Sequence, residues 1–264
     1  MKICLCDERL PIACRTALEG EGFITLPLPK AEGVEAAICS HTDIVLFRNG
    51  NQLIIPREYA DKNRDLFKKV QAACAELNII KSDIAPIGTY PKNACYNALV
   101  IGKLLFVKQD TVCRDILKYA AEAGLKTVNV RQGYPACTVL PITDSAAITA
   151  DKGMEKELLA QGIRVLLVRD SERILLPPYK NGFIGGCAAR LGDAIYFMGN
   201  LECHPDAERI KDFIRENGMR AISLTGGEYL YDVGGAVLCD SDTLPENSTP
   251  TAGSSTSPTI PATE

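Results

Sequence analysis

The side chains able to do covalent chemistry are eleven cysteines and two histidines. A thiol that attacks carbon needs an acid and base beside it, and histidine titrates in the range that serves both tasks at neutral pH. Cys137 is the leading nucleophile. It lies in Gly133-Tyr134-Pro135-Ala136-Cys137-Thr138, after the apolar run 128–130 and ahead of the run 139–142. A cysteine opening an inner strand there would turn its sulfur toward a central cavity. Cys187, in Gly182-Phe183-Ile184-Gly185-Gly186-Cys187, is the runner-up because it also opens a strand. His41 stands two residues before Asp43, and Asp232 stands two before Gly234-Gly235. Each also has a structural reading. Buried cysteines pack as small hydrophobes, a histidine at a strand start is often structural, Asp43 fits a solvated strand position, and Asp232 fits a turn. His204-Pro205-Asp206 reads as a helix start, with Pro and Asp suited to the first turn. The Cys4-x-Cys6 pair has no second pair to complete a zinc site, and the Gly182–Cys187 stretch lacks the Lys-Ser/Thr of a phosphate loop. Neither a metal nor a cofactor is expected.

The elements that must position these residues repeat. Asp43–Phe47 and 52–55 flank Asn49-Gly50, a strong hairpin signal, and are followed by a helix over 65–77 and the run Ile79-Ile80. The order strand, strand, helix, strand returns from 97 to 130, from 139 to 168 and from 186 to 224, with Gly124, Gly162 and Gly218 closing the helices. The chain begins with a unit lacking its opening hairpin (strand 2–6, helix 11–19, strand 23–28) and ends with an opening strand, 232–239, lacking a helix. Together these partial units make a fifth copy. Pairing the last strand with the first unit closes a ring and removes open sheet edges. The expected fold class is α/β, a five-bladed pseudo-symmetric propeller in a single domain over 1–240, with a Ser/Thr/Pro-rich disordered tail over 241–264.

A chain of 264 residues with 46% apolar content and no Trp suits a globular α/β protein. Its net charge of −4 comes without a block of Lys or Arg. That leaves no electrostatic footprint for nucleic acid or an anionic membrane, while small cationic or neutral ligands remain open. Scattered cysteines inside apolar runs point to reduced thiols and a cytoplasmic location. Met1–Asp7 meets an acidic residue too early for a signal peptide, and no apolar run approaches the ~18 residues of a membrane span.

The repeat resembles that of the penteins, the guanidino-group-modifying superfamily of deiminases and amidinotransferases, and is most similar to an uncharacterised bacterial branch. His41-Thr42-Asp43 resembles the deiminase His-x-Asp motif, Tyr96-Asn97 the aromatic-Asn strand, Cys137-Thr138 the nucleophile context, and Asp232-Val233-Gly234-Gly235 the acidic-Gly-Gly motif. The last closes the chain here instead of preceding His-x-Asp, which preserves the cyclic order. The resemblance implies Cys137 as nucleophile, His41 as general acid/base, and Asp43, Asp232 and Asn97 as substrate-binding groups. The expected activity is that of a hydrolase or transferase acting on a small guanidino or amidine compound through a covalent thiouronium. Ala136 and Ser40 depart from the deiminase pattern, so substrate does not carry over. The alternative is a non-catalytic binding protein on the same fold, with a macromolecular partner or a cationic metabolite. Catalysis predicts a low-pKa thiol at Cys137 close to His41; a binder needs neither.

Overall fold

The computed structural model describes residues 1–240. The tail expected to be disordered lies outside the described residues.

Five three-stranded sheets share one topology, in which a central strand pairs antiparallel with one neighbour and parallel with the other. In the second, Phe47–Asn49 runs antiparallel to Gln52–Pro56, which runs parallel to Asn78–Ser82. The Asn49-Gly50 signal holds, and Gly50 turns the chain at φ +56°. Parallel pairing needs a crossover, which the helices Arg57–Lys62 and Arg64–Ala73 supply. The third sheet is Leu99–Ile101, Leu104–Val107 and Lys126–Asn129, crossed by Arg114–Glu122. The fourth is Val139–Thr143, Ala146–Thr149 and Arg164–Leu167, crossed by Lys152–Ala160, whose first turn is capped by the Asp151 carboxylate. The fifth is Ala188–Leu191, Ala194–Phe197 and Arg220–Ser223, crossed by Ala207–Glu216.

The first sheet joins the two chain ends. Lys2–Asp7 pairs parallel with Phe23–Leu28 and antiparallel with Ala236–Asp240, Cys4 facing Leu238. Apolar packing links neighbouring sheets in turn. Ile3 and Leu5 pack with Leu53 and Phe67, Phe47 and Ile54 with Tyr96 and Leu105, and Phe106 with Val139 and Leu158. Ile142 and Ile148 pack with Phe197 and Ile210, and Tyr196 packs with Cys4, Leu18 and Leu238. The last cluster connects the fifth sheet to the first.

The structure corrects the segments just ahead of the opening strands. Residues expected as strand from Asp43 form a helical turn, Thr42–Val45, and the strand starts at Phe47. The cause is tertiary. Asp43 N–H donates to Gly234 O (3.3 Å), Thr42 Oγ1 donates to Gly235 O (3.2 Å), and Ile44 and Val45 donate back to His41 O. These contacts override the strand preference of Ile44-Val45. Cys137 likewise lies in a turn, Pro135–Thr138, that precedes the strand Val139–Thr143. Asn97, Cys187 and Asp232 also lie ahead of their strands rather than within them. No described helix is long and apolar enough to cross a membrane.

Candidate functional site

Asp43, Asn97, Cys137 and Asp232 occupy corresponding places in four of the repeats, each in the turn leading into a sheet's opening strand. Because the sheets share one topology, these turns converge. Asn97 grips the cysteine turn from both sides: its Oδ1 accepts from Ala136 N (2.8 Å) and its Nδ2 donates to Cys137 Sγ (3.3 Å). Cys137 Sγ donates to Asp43 Oδ2 at 2.6 Å. Asp232 is aimed by backbone, with Oδ2 accepting from Phe183 N (2.8 Å) and Oδ1 from Gly234 N (3.1 Å). Gly186 makes room for that carboxylate, since a Cβ there would lie 2.0 Å from Asp232 Oδ1.

His41 is 1% exposed, and both its ring nitrogens are buried without a hydrogen-bond partner. A buried histidine in that state lacks the bonds that would mark it as structural. One ring nitrogen of His41, Cys137 Sγ and one carboxylate oxygen of Asp232 lie within 4.8 Å of one another. They form one N, one S and one O donor, a set of the kind a zinc-type cation takes, one short of four. The three groups line a cavity of about 290 Å³ walled by Tyr90, Tyr134, Tyr179, Phe183, Ile38, Ile44 and Leu176. Asp43 lines a separate cavity of about 260 Å³. Its Oδ1 is sealed from solvent and unpartnered, although the residue as a whole is half-buried.

Burial dominates the electrostatics. It lowers the His41 pKa, against the pull of Asp232 and Asp7, so the imidazole rests neutral. It raises Asp232, which His41 and the Phe183 and Gly234 N–H groups partly offset. Asp43 is pushed up to about 8 by burial, with its bond from Cys137 opposing. Burial and then the Asp43 and Asp232 carboxylates hold the Cys137 thiol well above its ordinary range. The expected low-pKa thiol is therefore corrected: burial and the two neighbouring acidic groups keep the resting sulfur protonated.

Of the six residues singled out, the structure gathers five. Cys187 is apart. It is fully buried, its Sγ donates to Ile184 O (3.2 Å), and it packs in the core between the fourth and fifth sheets. His204 accepts from Asp206 N through Nδ1 (3.0 Å) just before the helix Ala207–Glu216, in keeping with helix initiation. Asp7 was missed. It is fully buried, holds Arg9 through both carboxylate oxygens, accepts from Ser40 Oγ (2.8 Å), and lies 3.9 Å from His41 Nε2. Its one signal is an acidic residue ending an otherwise apolar first strand. The tyrosines of the cavity carry no such signal.

The fold matches solved pentein structures. A dimethylarginine dimethylaminohydrolase from Pseudomonas aeruginosa, complexed with citrulline, aligns at 11% identity and TM-score 0.54, over 89% of this chain and 95% of that one. An amidinotransferase from Microseira wollei, of a saxitoxin biosynthetic pathway, aligns at 12% identity and TM-score 0.54, over 89% and 79%. The N-terminal domain of a cyanobacterial arginine dihydrolase, bound to substrate, aligns at 12% identity and TM-score 0.53, over 89% and 95%. At such identities the likeness is one of fold. No curated protein sequence matches the chain. A family model described as a family of unknown function (DUF6873) matches residues 5–237.

Proposed function

The chain belongs to that family, DUF6873, and we propose that it is a cysteine-dependent hydrolase or amidinotransferase acting on a small guanidino or amidine compound. The observation that carries the reading is the convergence of Cys137, His41 and Asp232 within 4.8 Å at the wall of one cavity. We read the five sheets as blades of a closed propeller in one domain over 1–240, and the thiol-rich composition as suited to the cytoplasm.

A guanidinium carbon is a weak electrophile, delocalised and positively charged, so its substitution needs a sulfur nucleophile and carboxylates to orient it. Asp232 is preset for that task, and its burial makes a cation welcome. An arriving guanidinium reverses the local balance. Its charge lowers the pKa of Cys137, Asp43 and Asp232 together, so the thiol ionises only when substrate is present. Neutral His41 takes the thiol proton, the thiolate attacks the carbon, the C–N bond breaks, and the amine leaves with the proton from His41. Neutral His41 then takes a proton from water. The oxygen adds to the thiouronium carbon, the C–S bond breaks, and the proton returns to the thiolate. If an amine replaces water, the same steps make an amidinotransferase. Asn97 steadies the sulfur throughout, and Asp43 receives its hydrogen bond at rest.

The protonated resting state of Cys137 also suits the second reading, a protein that binds a cationic metabolite without turning it over. Turnover of a guanidino compound separates them, and alkylation tests the cation-selective thiol that the enzyme reading requires. Chloroacetamidine and chloroacetamide carry the same reactive carbon and differ in charge. The enzyme reading expects the cation to label Cys137 at least tenfold faster, and at lower pH, than the neutral reagent. Equal rates and equal pH profiles would remove it.

A further inference from the structure

We propose that the substrate is a guanidine or amidine whose far end carries no carboxylate, an alkyl chain completed best by an ammonium ion. The inference rests on the guanidino reading above and narrows the chemical class within it. Among the described residues lining the cavity, His41 is neutral, the carboxyl groups are those of Glu35 and Asp232, and there is no Lys or Arg. Lys92, Arg131 and Lys180, close in sequence to the lining tyrosines, are exposed and outside the lining, and Arg9 is engaged elsewhere. Arg9 donates to Asp7 and to the carbonyl oxygens of Ala36 and Ala37. Lys180 pairs with Glu172 at 3.1 Å. Two of the three tyrosine hydroxyls are already committed as donors: Tyr134 donates to Asn93 Oδ1 (2.9 Å), and Tyr179 donates to Glu35.

A ligand carboxylate reaching outward from Asp232 would find no counter-charge in the cavity lining and would meet Glu35. Like-charge juxtaposition of that kind costs several kcal/mol, on the order of a hundredfold or more in affinity. An ammonium group in the same place finds the Glu35 carboxylate and the faces of aromatic rings. Tyr90 and Tyr134 pack at a 46° tilt with centroids 5.2 Å apart, and Tyr90 and Tyr179 are 49% and 47% exposed. The alkyl stem between the two cationic ends runs past Ile38, Ile44 and Leu176, which reward apolar contact and offer a charge nothing.

Protection of Cys137 from chloroacetamidine tests this on the full chain without requiring turnover. Three competitors of equal stem length are compared: aminobutylguanidine, butylguanidine and guanidinobutyrate. The ammonium compound is expected to protect at about tenfold lower concentration than the methyl-ended one, and at about a hundredfold or more below the carboxylate. Glu35→Gln brings the ammonium and methyl compounds to within about threefold of each other. Tyr179→Phe, which keeps the Glu35 charge but not its hydroxyl partner, preserves the order. A carboxylate compound that protects as well as the methyl one overturns the proposal, as does a preference unmoved by Glu35→Gln. If none of the three protects while labelling stays selective for the cationic reagent, the substrate class is wrong and the guanidino reading stands. If labelling is also indifferent to charge, the guanidino reading itself falls.

Discussion

Asp43 carries a free-energy cost that can be read at a single residue. Its carboxyl is pushed up to about 8 in the folded chain, against about 3.9 when unfolded. Between those values the folded state holds a proton that the unfolded state has lost. The associated stability is full below pH 4, falls as pH rises, and is gone above 8. Asp43→Asn removes the titration, so urea unfolding should find stability shifting in the variant's favour by about 2 kcal/mol or more between pH 5 and pH 9. The same difference at both would mean the carboxylate is well solvated or well paired. Cys137, His41, Asp43, Asn97 and Asp232 stood out in the chain through their resemblance to deiminase motifs set within a repeat. Asp7 did not, since one acidic residue at a strand end has no partner in sequence; only the fold brings His41 to 3.9 Å from it.

The working units at the next scale are the turns ahead of the opening strands. Alternating apolar runs and glycine-marked hairpins revealed the strands and crossovers, but Ile44-Val45-Leu46 reads as strand by preference and is turned by bonds to Gly234 and Gly235. Those partners are some 190 residues away, beyond any local pattern. The glycines of these turns are there for space as much as for conformation. Gly186→Ala would set a methyl group against the Asp232 carboxylate. It should cut the preference for chloroacetamidine over chloroacetamide at least about tenfold, as displacing one positioned carboxylate would. Gly192→Ala serves as the control. That hairpin glycine has φ +58° and open space around it, so the change should cost about 1 kcal/mol and leave the preference intact. Selectivity surviving Gly186→Ala would mean Asp232 does not orient the cation.

Across the whole molecule the chain's ends are one structural element. Ala236–Asp240 pairs with Lys2–Asp7, and the Tyr196, Leu18 and Leu238 cluster joins fifth sheet to first. Asp232 and Gly234 reach the site just ahead of that last strand, so pairing of the chain ends and the geometry of the site are coupled. Leu238→Asp puts a carboxylate at a position 1% exposed. It should cost about 3 kcal/mol or more and abolish selective labelling at Cys137, over 100 residues away in sequence. A variant that unfolds like wild type would show that the terminal strand is dispensable. The partial first and last units made this pairing legible in sequence. The cavity wall was not, because Glu35, Tyr90, Tyr134 and Tyr179 come from loops whose meeting depends on the assembled sheets.

The central claim is that Cys137 forms a covalent bond to an amidinium carbon, and trapping that bond tests it most directly. In S-methylisothiourea the departing methanethiolate takes up the Cys137 proton itself, so the first step is slowed but still runs without His41, whereas the later attack of water needs His41 as base. Intact-mass analysis of His41→Ala incubated with S-methylisothiourea should therefore find one amidino group per chain, mapped to Cys137 and absent from the Cys137→Ser, His41→Ala double variant. No adduct, or adducts scattered over several cysteines, would contradict the account.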